Sequence, residues 1–153
     1  MAPLREPTQV GIRQAVAEDL AAIARIERAA FPQPWSEPLL GAHLGDPTQL
    51  MLVGSFGTHR AGYLLARLAP PEAEILKLAV EPRYRRRGCG RALLGAGLET
   101  LRQRGADDVH LEVRAENETA IRLYRRFGFE VRGSRRAYYF DGSDALLMAR
   151  RGG

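Results

Sequence analysis

Cysteine is nearly absent: Cys89 is the only one in 153 residues. That excludes a disulfide framework and a zinc site built from several thiolates. Histidine is sparse as well. His43, His59 and His110 are scattered without ligand-like spacing, so no metal is expected. Lysine is rarer still, and Lys77 stands alone among positive charges that are otherwise arginine. No apolar run approaches the roughly 20 residues that a membrane helix needs, so no membrane partner is expected. The opening Met1-Ala2-Pro3-Leu4-Arg5-Glu6-Pro7 has no apolar stretch, which predicts the absence of a signal peptide and a cytoplasmic location. No repeat, low-complexity tract or Gly/Ser linker divides the chain.

What is present suits one folded domain over 1–153, with its core at about 10–149. The apolar fraction is 45% and the charged fraction 27%, with a net charge of +5. Such a balance is compatible with anionic metabolites, nucleic acid or a ribonucleoprotein surface. The distribution is more telling than the total. Arg83, Arg85, Arg86, Arg87 and Arg91 crowd one short stretch. Only Tyr84 is interleaved there as a stacking aromatic, so direct nucleic-acid binding is not expected.

Along the chain, Gln9–Ala15 alternates like a first strand. From Ala17 a helical pattern carries Leu20, Ile23, Ile26 and Ala30 on one face, and Phe31-Pro32-Gln33-Pro34 breaks it. Ser36 is a good N-cap for a short second helix. Leu50–Gly54 and Ala61–Ala69 read as strands, joined by a turn at Phe56–Arg60. Glu72–Val80 is another strand. Gly88–Arg104 shows a long helical face of Leu93, Leu94, Gly97, Leu98 and Leu101, stopped by Gly105. After a strand at Val109–Val113, Asn117 opens a helix closed at Gly128. Phe129–Val131 and Arg136–Phe140 read as one bent strand or two, and Ala145–Ala149 as the last. This order predicts a central, mostly antiparallel sheet with helices on both faces.

The strongest local feature runs from Leu78 to Arg91. A strand ends, a turn carries Arg85, Gly88 and Gly90, and a helix begins. Such a turn aims successive backbone N–H groups and a helix dipole at one point, where a phosphate or pyrophosphate is attracted. Side chains at Gly88 or Gly90 would hold a ligand off the backbone. No Gly-Lys-Ser/Thr follows, which excludes a P-loop, and the glycine spacing does not fit a dinucleotide-binding fingerprint.

Arg85-Arg86-Arg87-Gly88-Cys89-Gly90-Arg91 resembles the acetyl-CoA signature of the GNAT superfamily of N-acetyltransferases, Gln/Arg-x-x-Gly-x-Gly/Ala. The preceding strand Leu76–Val80 with Glu81-Pro82 and the downstream Asn117, Ala120, Leu123, Tyr124, Phe127, Gly128 and Phe129 extend the likeness over most of the chain. The resemblance implies an α/β (α+β) GNAT domain, with a central mostly antiparallel mixed sheet of roughly six to seven strands flanked by about four helices. Phe31 with Pro34-Trp35-Ser36-Glu37, Leu111–Ala115 with Asn117, and Arg135-Arg136 with Tyr138-Tyr139 are similar to the ribosomal-protein alanine N-acetyltransferases (the RimI type). That likeness implies acetyl transfer from acetyl-CoA, as co-substrate, to the α-amino group of an N-terminal alanine on a small-subunit ribosomal protein. A lysine side chain or a small-molecule amine is the alternative acceptor. Phe140 departs from the pattern, since relatives often carry proline there.

By the same resemblance, Glu112 is the general base and Tyr124 the general acid. Leu78, Ala79 and Val80 offer main-chain groups to pantetheine, while Arg86, Arg87, Gly88, Cys89, Gly90 and Arg91 wrap the pyrophosphate and Asn117 bonds the pantetheine arm. Trp35, Tyr138 and Tyr139 line the acceptor groove. The chemistry agrees with the acceptor class. An α-amine titrates near 8 and a lysine amine near 10.4, so a lone carboxylate base faces about 3.3 kcal/mol less deprotonation cost with the α-amine. Cys89 lies inside the turn with no histidine near it in sequence, and is expected to pack rather than to act as a nucleophile.

Overall fold

The computed structural model describes residues 9–152; the opening segment read above for a targeting signal lies outside them. The strands are β1 (Val10–Gln14), β2 (Gln49–Phe56), β3 (His59–Ala69), β4 (Glu72–Val80), β5 (Asp108–Arg114), β6 (Glu130–Arg135) and β7 (Ala145–Arg150). The helices are α1 (Leu20–Ala30), α2 (Glu37–His43), α3 (Cys89–Gln103) and α4 (Glu118–Arg126), with single 3-10 turns at Ala17–Asp19 and Pro82–Tyr84. The strands form one seven-stranded sheet in the order β1-β2-β3-β4-β5-β7-β6. It is mixed: β4 and β5 run parallel, whereas β1–β2, β5–β7 and β6–β7 are antiparallel. The chain clusters into two compact units, one of residues 9–66 with 77–97 and one of 67–76 with 98–152.

In the first unit, α1 buries Ile23, Ala24 and Ile26, the face that its three- and four-residue spacing predicts. Its entry is fixed by Asp19, which is fully buried. The Asp19 carboxylate accepts from the Val16 N–H at 2.8 Å, from both terminal nitrogens of Arg13 at 2.7 and 2.8 Å, and from Arg60 Nε at 2.5 Å. The Arg13 hydrogen bonds, followed by those from Val16 and Arg60, hold the Asp19 carboxyl far below the usual carboxylate range against the opposing effect of burial. Ser36 caps α2 as expected, its Oγ accepting from the Leu39 N–H at 3.3 Å. Close packing joins β3 to the start of α3. A Cβ on Gly62 would lie 2.9 Å from both the Ala79 carbonyl oxygen and Cys89 Sγ, so only glycine fits without displacement.

In the second unit, the parallel register runs from Glu72↔Asp108 to Ile75↔Leu111, and β4 continues past it to Val80. Leu98 and Leu101 bury the last turns of α3. The helix ends where Gly105 adopts φ +92° and the Ala106 N–H donates back to the Leu101 carbonyl at 2.9 Å. β7 sits between β5 and β6, with Glu112 opposite Leu147. β6 is longer than the sequence predicts, and a bulge lies between Val131 and Gly133.

One expected strand is absent. Arg136–Phe140 forms turns instead. Ala137 is in the left-handed region at φ +51° and donates its N–H to Asp144 Oδ1 at 2.8 Å. The Tyr139 N–H donates to the Ser143 carbonyl, and the Gly142 N–H to the Tyr139 carbonyl. These bonds turn the Ala137 and Tyr139 donors into the loop and hold the segment away from a ladder.

Candidate active site

β4 hands the chain to the arginine-rich turn with a fixed geometry. The Glu81 N–H donates to the Ala61 carbonyl at 2.7 Å, and Pro82 starts the 3-10 turn. Tyr84 is buried and stacks on Phe56 and His59, at centroid distances of 5.5 and 4.6 Å. It anchors the arginines outside it: the Arg83 and Arg87 guanidinium groups lie 5.0 and 5.1 Å from its ring. Arg85 Nε donates to the Val80 carbonyl at 3.3 Å. The turn is made by Arg86 at φ +66° and Gly88 at φ +82°. No heavy atom lies within 4 Å of a Cβ placed on Gly88, so the backbone there faces open space.

α3 then begins, and its first internal bond runs from the Ala92 N–H to the Gly88 carbonyl at 2.9 Å. The N–H groups of Cys89, Gly90 and Arg91 therefore belong to the first turn, where donors have no partner within the helix. The Cys89 side chain is buried beneath this turn, and burial pushes its thiol up to about 11. A thiol so placed is protonated and inert at neutral pH, in agreement with its expected packing role.

The second unit gathers a different set. Glu112 is half-buried on β5, between the buried Leu111 and Val113. Tyr139 lies near enough to feel its charge: burial first, then Glu112, pushes the Tyr139 phenol upward. Tyr139 in turn acts on Tyr124, the one buried side chain of α4. Burial, with a smaller effect from Tyr139, raises the Tyr124 phenol to about 12. Tyr139 is held from its other side by Arg114, whose guanidinium lies 4.2 Å from its ring centroid. Arg114 is itself anchored by Asp141 at 2.9 and 3.0 Å and by Ser143 Oγ at 3.0 Å. Hydrogen bonds from Ser143 and then Arg114 draw the Asp141 carboxyl down to about 2.

The fold thus brings Glu112, Tyr124 and Tyr139 into one electrostatic cluster. Tyr138 stands beside it, 5.2 Å from the Tyr139 ring, but is exposed. Asn117 caps α4 by accepting from the Ala120 N–H at 3.2 Å. His110 is a surface residue 3.7 Å from Glu72.

Sequence reasoning missed one site. Glu27 on α1 is fully buried. Its Oε2 accepts from Lys77 Nζ and from the Trp35 N–H, each at 2.9 Å, and its Oε1 accepts from the Tyr63 hydroxyl. Lys77 Nζ also lies 4.3 Å from the Phe31 ring centroid and 4.5 Å from that of Trp35. Trp35 stacks on His43 at 5.1 Å. The only available signals were the solitary lysine and a glutamate adjoining an apolar helix stripe.

A strand running into a glycine turn at a helix N-terminus, and a half-buried carboxylate near one buried and one half-buried phenol, fit an acyl-transfer enzyme. The Acetyltransferase (GNAT) family matches residues 20–129, and the chain belongs to that family of acyltransferases. It is 38% identical over 134 residues to the [ribosomal protein bS18]-alanine N-acetyltransferase of Escherichia coli, spanning 86% of this chain and 90% of that one. It is 32% identical to an N-alpha-acetyltransferase of Sulfurisphaera tokodaii, over 90% of each chain. Among solved structures, the ribosomal-protein-S18-alanine N-acetyltransferase of Escherichia coli superposes with a TM-score of 0.86 at 36% identity, covering 94% of both chains.

Proposed function

We propose that residues 1–153 act as one N-acetyltransferase domain that moves the acetyl group of acetyl-CoA to the α-amino group of an N-terminal alanine, with a small-subunit ribosomal protein as acceptor. The left-handed turn at Arg86 and Gly88 that opens α3 carries this reading, and it is supported by Tyr139, which feels the charge of the half-buried Glu112 and in turn acts on the buried Tyr124. The kinship with an alanine acetyltransferase over most of the chain supplies the acceptor class. The Arg86–Arg91 turn would hold the pyrophosphate through the first-turn N–H groups of α3, with Arg86, Arg87 and Arg91 outside it. Leu78, Ala79 and Val80 would pair their main-chain groups with the pantetheine amides, and Asn117 would bond the same arm.

The acceptor nitrogen loses its proton to Glu112, directly or through one water, and attacks the thioester carbonyl. The C–N bond forms and the C–S bond breaks as CoA leaves as a thiolate. A free thiol titrates near 8.5, so a phenol at about 12 would give up its proton only against a gradient. A thiolate held away from water is a stronger base than a free one, which narrows that gap. Tyr124 is therefore assigned as the hydrogen-bond donor to the departing sulfur and its proton source.

The test is acetyl-CoA consumption with hexapeptides that differ in their first residue. Alanine-first peptides are expected to turn over best. Turnover confined to polyamines, antibiotics or internal lysines would reject the acceptor assignment. Mass spectrometry of ribosomal proteins, with and without the enzyme, is expected to show one alanine N-terminus gaining an acetyl group.

A further inference from the structure

We propose that Glu27 is a positioning residue for acceptor binding, and that with Lys77 it sets selectivity at the acceptor's first side chain; this rests on the acyl-transfer reading above. A carboxylate removed from water is retained only where it is paired and hydrogen-bonded, and Glu27 has three donors from three separate parts of the chain. Two of them, Tyr63 and Lys77, lie on strands. The third is the main chain of Trp35, in the connection between α1 and α2. That connection carries Phe31-Pro32-Gln33-Pro34-Trp35, whose prolines supply no N–H with which to tie it down. Glu27 provides the missing tie, so the path of Phe31–Trp35 depends on a charge buried behind it.

Lys77 completes the arrangement. Its side chain is 13% exposed, and its ammonium sits against both the Phe31 and Trp35 rings. Each ring thus already has a cation on one face. Arginine or lysine as the acceptor's first residue would find a cation already seated on these rings, whereas alanine brings only a methyl group and needs no such seat.

Trp35 is the only tryptophan, so its fluorescence reports this cluster without reference to activity. In Glu27→Gln, acrylamide quenching of Trp35 is expected to rise. The KM for the acceptor is expected to rise about tenfold for loss of a charge-assisted tie, with kcat and acetyl-CoA Kd within about twofold of the parent. Lys77→Met is expected to improve the relative kcat/KM of arginine-first over alanine-first peptides. Glu27→Gln/Lys77→Met is expected to recover part of the KM loss, because no unpaired charge remains buried. Should Glu27→Gln fail to fold, Tyr63→Phe, which keeps two of the three bonds, carries the same readouts.

Unchanged quenching in a folded variant overturns the proposal. So does an acetyl-CoA Kd that rises in step with the acceptor KM. If the parent enzyme turns over no alanine-first peptide, the proposed acceptor falls instead. KM is then read on whichever amine an acceptor screen identifies, and the quenching comparison decides alone if it identifies none.

Discussion

The proposed roles of Glu112 as base and Tyr124 as acid come down to single protons. Glu112→Gln keeps the size of the side chain and removes the base, so kcat should fall while acetyl-CoA affinity, measured by calorimetry, stays the same. Tyr124→Phe should slow turnover by a factor of about 10² to 10⁴, as expected for a lost acid. Because burial raises the Tyr124 phenol to about 12, its deprotonation should not shape the kcat–pH profile below about pH 11. An alkaline loss of rate at lower pH that disappears in Tyr124→Phe would contradict this placement. Glu112 stands out in the sequence because it lies in an apolar strand inside a family pattern, and the structure leaves it half-buried on β5. Glu27 does not stand out. It reads as an ordinary charge between Ile26 and Arg28, and its partners Tyr63 and Lys77 are 36 and 50 residues away. Distance along the chain hides such a cluster; only folding closes it.

Elements record how local chemistry chooses a conformation. Ser36, Asn117 and Gly105 announce helix ends in the sequence, and the structure uses them as such. The turn after Tyr138 was misread because Arg136–Phe140 has strand-forming aromatics, whereas Asp144 and Ser143 capture its backbone. Asp19 shows the same dependence on distant groups at the start of α1. Its folded carboxyl titrates far below the unfolded one, so the stability it contributes is present above about pH 4 and drains away as the pH falls toward the folded value. Asp19→Asn should therefore be less stable at pH 7, by about 1–3 kcal/mol, because the two arginines it leaves behind are partly exposed. It should also lose less than the parent between pH 4 and 2, as read by urea denaturation. Gly88→Ala should bind acetyl-CoA more weakly through its left-handed backbone, with a strain cost of about 1–2 kcal/mol. Unaltered affinity in that variant would count against the turn.

On the scale of the whole molecule, the arrangement of charge outweighs its total. A net +5 could serve many anions, but the arginines are ordered around Tyr84 and a helix start. Acetyl-CoA at a hundred times its Kd should add about 2.7 kcal/mol to stability, a rise in Tm of about 5–10 °C for a chain of this length. RNA should bind weakly and with a steep dependence on salt. A salt-insensitive RNA complex would mean that the arginines read something other than phosphate. The run of most elements along the chain and the strand–turn–helix were visible in advance because hydrophobic period and glycine punctuation are local signals, whereas the sheet order is set by distant pairings. The buried ion pair was invisible because nothing local distinguishes it.

The solitary lysine has a last consequence. With Lys77 locked in its ion pair behind two rings, the folded protein shows reagents no free side-chain amine. Prolonged incubation with the acyl donor should therefore add no mass at the Lys77 ε-nitrogen, and an amine-reactive dye should leave Lys77 unlabelled until the protein is unfolded.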